Sequence, residues 1–215
     1  MFVTCGGPTF WLAGKLPNLE LLWLNDNQAV GDAGCAQLLA PEALCGCPLL
    51  GELCLNSNKL SASVHKLAAA LDAGALPRLT RLNLINNEID DTGVVALARA
   101  LGARAEAGRE LKLKRLQLEN NMWGVAGLTA LVDVMLAGGL PALEQLDIHS
   151  NKKLHKDNDE CKAAVAKAVE VAVQLGLKEL KIGMLPPFDK AFKDALNLKS
   201  AAPFKDALNL KSAAV

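Results

Sequence analysis

The residues best equipped for chemistry crowd into one stretch, HSNKKLHKDNDEC, from His149 to Cys161. His149, His155, Asp157, Asp159, Glu160 and Cys161 offer imidazole nitrogens, carboxylate oxygens and a thiol, all metal-type donors. The stretch lacks the spaced oxygen ligands and the glycine of a calcium loop. A junction between a strand and a helix is ordinarily polar, so the stretch reads as a solvated loop capping the next helix. No metal is expected. The six cysteines, Cys5, Cys35, Cys45, Cys47, Cys54 and Cys161, repeat no disulfide spacing. Cys45-Gly46-Cys47 resembles half of a redox or metal site, but no second half exists to complete it. Reduced thiols packed as small hydrophobes account for the set and favour a reducing compartment, so a cytoplasmic location is expected. The chain has no glycine-rich phosphate loop with its lysine, no G-x-S-x-G and no H-E-x-x-H. Catalytic residues and cofactors are therefore not expected, and His65 is placed on a helix surface.

Of 215 residues, 51% are hydrophobic and only 4% aromatic, which suits many small, similar packing layers better than one bulky core. The formal net charge is zero, which argues against a nucleic-acid partner. No apolar run approaches the ~18 residues that span a bilayer, and the N-terminus has neither a basic region nor a clean apolar core of the secretory kind.

Internal repetition organises the rest. Five segments align on L-x-x-L-x-L-x-x-N: LELLWLNDN from Leu19, LGELCLNSN from Leu50, LTRLNLINN from Leu79, LKRLQLENN from Leu113 and LEQLDIHSN from Leu143. A sixth, LKELKIGML from Leu177, keeps the apolar frame but has Leu185 in place of asparagine. The asparagines Asn27, Asn58, Asn87, Asn121 and Asn151 are separated, by subtraction, by 31, 29, 34 and 30 residues. Each motif predicts a short strand with alternating inward and outward side chains. The third is followed by Gly93, Leu97 and Leu101 and the fourth by Gly127, Leu131 and Met135, i, i+4 intervals that describe one helix face. The first carries Gly34 and Leu38 with a one-residue offset, and the second has Val64 and Ala68 in place of the expected Gly and Leu. Helices are expected near Asp32–Cys45, Ser61–Ala73, Asp91–Ala107, Gly124–Ala137 and Asp157–Leu175. Asp91 and Asp157 are expected as N-caps, Pro41 as a break in the first helix, and Gly74, Gly108, Gly138-Gly139 and Gly176 as helix ends. Because a helix returns the chain each time, successive strands must be parallel.

These motifs and their long spacing resemble the leucine-rich-repeat family, and within it the ribonuclease-inhibitor-like subclass, whose relatives include Ran GTPase-activating proteins and the repeat domains of NOD-like receptors. The resemblance covers about Leu16 to Ile182. It implies an α/β solenoid, a horseshoe of about five to six repeats with a parallel β-sheet on the concave side and α-helices on the convex side. It also implies that the asparagines form a structural ladder, bonding backbone groups of adjacent turns that would otherwise be buried unpaired. Residues 1–185 are assigned to this domain, with 1–15 as a partial repeat or an improvised cap. Residues 186–215 form a C-terminal tail in which FKDALNLKSAA occurs twice, from Phe192 and from Phe204.

On such a scaffold the outward strand positions are the candidate site. They include Trp23, Glu52, Arg81, Asn83, Arg115, Gln117, Asp147 and His149. Aromatic and arginine anchors on a rigid wall suit a protein partner. Arg81 and Arg115 occupy one column in adjacent repeats, with Glu52 and Glu119 placed to balance them. The function expected is a protein-binding module or scaffold, monomeric, acting on the concave face, and not an enzyme. The alternative is a GTPase-activating protein of the Ran-activator type, which stimulates hydrolysis belonging to its partner. A ribonuclease inhibitor is disfavoured, because those inhibitors are acidic and this chain is neutral.

Overall fold

The computed structural model describes residues 16–154 and 159–182. Each leucine motif forms a three-residue strand: β1 Leu21–Trp23, β2 Glu52–Cys54, β3 Arg81–Asn83, β4 Arg115–Gln117, β5 Gln145–Asp147 and β6 Glu179–Lys181. They make one parallel sheet in chain order. The register stacks Leu22, Leu53, Leu82, Leu116, Leu146 and Leu180 in a single buried column. Leu24, Leu55, Leu84, Leu118, Ile148 and Ile182 form a second. No strand could bury its apolar side chains alone, so the core exists only because neighbouring repeats stack. The fold is an α/β leucine-rich-repeat solenoid.

The returning limbs are helical: α1 Gly31–Leu38, α2 Pro41–Leu44, α3 Val64–Asp72, α4 Asp91–Glu106, α5 Val125–Leu136 and α6 Asp159–Gln174. The predicted first helix is divided into α1 and α2 at Pro41, whose ring is accommodated at an N-terminal position after an extended Ala40. The second helix begins at Val64, three residues later than the sequence suggests. Gly74, Gly108, Gly138 and Gly176 end α3 to α6 with positive φ. Gly93 and Gly127 serve a different purpose. A Cβ on Gly93 would lie 2.5 Å from Val64 Cγ1, and one on Gly127 3.2 Å from Val94 Cβ. Val64 stands where its own repeat lacks the usual glycine, and the next repeat's Gly93 makes room for it. None of the helices described is long and apolar enough to cross a membrane.

One cap assignment differs from the sequence reading. Asp90, not Asp91, caps α4, accepting a hydrogen bond from Gly93 N at 3.1 Å. Asp91 reaches instead to the following repeat, where its Oδ1 accepts from Gly124 N at 2.8 Å and Gly127 N at 2.9 Å. Asp32 does the same two repeats earlier, accepting from Ser61 N at 2.7 Å and Ser63 N at 2.9 Å. Both aspartates therefore satisfy orphan amides at the start of a neighbour's helical limb, a pairing that local sequence cannot reveal. Asp157, the other expected cap, lies outside the described residues, as do His155, Gly183, Leu185, the N-terminal segment 1–15 and the duplicated tail.

Candidate functional site

The asparagine column forms the base of the site. Asn58 Oδ1 accepts from Asn27 N at 3.1 Å, Asn87 Oδ1 from Asn58 N and Leu60 N at 3.0 Å each, Asn121 Oδ1 from Ile89 N at 3.1 Å, and Asn151 Oδ1 from Asn121 N at 2.8 Å. Each amide nitrogen from Asn58 to Asn151 donates back to carbonyls just past the strand ends, as Asn87 does to Leu55 O and Leu84 O. These four side chains are buried, whereas Asn27 is only half-buried and bonds Asn25 O. The residues just before the ladder, Asp26, Ser57, Asn86, Asn120 and Ser150, all have positive φ. In the middle they carry a second, shallower chain: Asn86 Nδ2 donates to Ser57 Oγ, and Asn120 Nδ2 to Asn86 Oδ1. The sequence reading missed this column. Its signal was the run of Asp, Ser and Asn, small polar residues of which Asp and Asn best tolerate the left-handed region.

The strand face above this base divides into three zones. At the β1 edge, Leu21 and Trp23 are exposed, at 46% and 47%. In the middle, Arg81 lies 3.6 Å from Glu52 and donates from Nε to Gln117 Oε1 at 3.1 Å. Arg81 pairs in register with Arg115, which is exposed and meets no carboxylate among the described residues. Asn83 is buried, and its Oδ1 accepts from Ile85 N at 3.0 Å, so it shapes the backbone more than it meets solvent. Burial pushes the Cys54 thiol up, Arg81 pulls it down and Glu52 adds to the rise, so the thiol is held above its usual range, which disfavours the nucleophilic thiolate.

At the far side, β4 to β6 gather acid and base. His149 Nε2 lies 2.7 Å from Glu119 Oε1, and its Nδ1 contacts Asp147 Oδ1. Lys181 Nζ is 3.8 Å from Asp147 Oδ2 and 3.3 Å from Glu179 Oε1. Burial works to lower the Lys181 pKa, but Glu179 and Asp147 outweigh it and hold the ammonium above its usual range. Glu119, expected beside the arginines, is turned to His149. The structure thus joins Asp147 and His149 to a residue from the preceding repeat, and it separates them from Trp23 and Arg81 along the sheet. Behind the face lies another buried charge that the sequence did not flag. Arg104 donates from Nη1 to Leu71 O at 2.7 Å and Ala75 O at 3.0 Å, closing the C-terminal end of α3, and burial lowers its pKa.

Among solved structures, the chain is similar to one described as leiomodin-1 actin-binding site 2, with 15% identity, a TM-score of 0.46, and 90% of this chain and 87% of that one covered. It is also similar to the tropomodulin C-terminal domain of Caenorhabditis elegans, with 12% identity, a TM-score of 0.47, and coverage of 91% and 90%. No family model and no curated protein matches the sequence.

Proposed function

We propose that the chain is a protein-binding module that receives its partner on the concave strand face, as a monomer in the cytoplasm, and that it is not itself an enzyme. The observation that carries this reading is the exposed Arg115 beside Arg81. Two guanidinium groups in adjacent strands, about 4.8 Å apart in backbone spacing, repel one another unless acids balance them. Glu52 accompanies Arg81, and Arg115 has no such companion among the described residues. A carboxylate-bearing partner would supply the missing charge through forked hydrogen bonds. Trp23 and Leu21 add an apolar anchor at the β1 edge of the same face. The ribonuclease-inhibitor-like subclass, proposed on the same footing, rests on the repeat length and the helical return limbs.

The test is affinity capture with the double variant Arg81→Ala plus Arg115→Ala beside a thermal melt. Capture should weaken by about tenfold or more, while the melting temperature stays near that of the wild type, because both side chains lie outside the leucine core. Added salt should reproduce part of the loss. Undiminished capture by a folded double variant would dismiss the arginine pair and move attention to Trp23. GTP hydrolysis by candidate small GTPases, measured with and without the chain, decides whether the bound partner is activated or merely held.

A further inference from the structure

The imidazole of His149 has a carboxylate oxygen at each end, Glu119 at Nε2 and Asp147 at Nδ1. A neutral imidazole carries one N–H, so it can donate to one of these acids only. Its other nitrogen then turns a lone pair toward an anionic oxygen. That confrontation is repulsive unless a cation, either a second proton or a metal ion, lies between the two atoms. The two acids are not equivalent. Asp147 is buried and already has Lys181 as a counter-charge. Glu119 meets no lysine or arginine within ion-pair distance among the described residues and is half-exposed, with room to move. The donor atoms of the three residues all lie within 4.8 Å of one another.

We infer that Glu119 and His149 bind one divalent ion of the zinc class between the Glu119 carboxylate and His149 Nε2, with Asp147 accepting the Nδ1–H and orienting the ring. Carboxylate, histidine and metal in line is a recurrent arrangement, in which the outer acid fixes the tautomer and raises ligand basicity. The present 2.7 Å gap must open to about 3.3 Å to seat an ion with bonds of about 2.0 Å, a shift that the Glu119 side chain can supply. A nitrogen donor favours zinc, cobalt or nickel over calcium or magnesium, which prefer all-oxygen shells. Water completes the coordination on the open strand face. Glu119 and His149 each follow the end of a paired strand by two residues, β4 and β5, which holds the two donors side by side before the ion arrives.

The experiment is isothermal titration of the full chain with zinc chloride, together with absorption spectra of the cobalt-loaded chain. One equivalent should bind, and cobalt should give weak d–d bands without the thiolate charge-transfer band that the exposed Cys45 would produce. His149→Ala should abolish this binding. Glu119→Gln, a near-isosteric change at a half-exposed position, should weaken it by at least about tenfold, and Asp147→Asn by about 10–100-fold. Several results would overturn the inference. They are a thiolate band, binding undiminished in Glu119→Gln, and no zinc uptake by the folded chain.

Discussion

At the scale of the residue, the ladder asparagines differ in what their loss would expose. Asn87 accepts two backbone amides and donates to three carbonyls, all between repeats or at the turn. Alanine there removes those partners and leaves buried groups unpaired, so Asn87→Ala should cost about 1–3 kcal/mol, read as a lower denaturation midpoint. Asn27, half-buried with water in reach, should cost less when changed in the same way. Equal losses at the two sites would show that burial does not govern the ladder's contribution. The sequence named both residues alike because the motif is identical. Their difference comes from where each sits in the stack.

At the scale of the element, helix starts depend on the preceding repeat as much as on their own residues. Asp91→Ala should destabilise by about 1–2 kcal/mol, as lost caps do, with reduced amide protection at Gly124 and Gly127 in the next limb and little change in the first turn of α4. Protection lost from α4 alone would mean that Asp91 serves its own helix. Asp90 and Asp32 add a dependence on pH. The hydroxyl of Thr92, with the Gly93 amide, holds the Asp90 carboxyl below its usual value. Burial tends to raise Asp32, but hydrogen bonds from Ser63 and Ser61 outweigh it and hold it low as well. A carboxyl depressed by folding contributes stability that is present above the unfolded pKa of about 3.9 and is lost as pH falls through the lower folded value. Wild-type stability should therefore decline below about pH 4, and the paired change Asp32→Asn plus Asp90→Asn should flatten that decline in chemical denaturation at stepped pH.

At the scale of the whole molecule, the buried side chains from Leu19 to Ile182 form one continuous core, built up as a sum of interfaces between neighbouring repeats. Segments that lie outside the repeats in sequence are then expected to contribute little to its stability. Removing Pro203–Val215 leaves β1 to β6 intact in sequence, and the last described strand ends at Lys181. The truncated chain should unfold cooperatively with the wild-type midpoint. A lost or broadened transition would assign the second FKDALNLKSAA copy to the fold itself.

The sequence by itself determined the strand columns, the parallel order and the helix ends, because each is written in a local pattern. Leucines at fixed steps set the strands, and glycines such as Gly74 and Gly176 mark turns that require positive φ. It also put Arg81 and Arg115 in one column, since repeat spacing fixes which residues become neighbours. Tertiary structure alone decided the partners of charged side chains. Glu119 faces His149 and not the arginines, Asp91 serves the next helix, and Asn83 and Asp147 are buried on a face predicted to be open. Long side chains can reach across a spacing of about 4.8 Å in several directions. Which direction wins depends on hydrogen bonds and charge supplied by the adjacent repeats, and those become neighbours only when the chain has stacked.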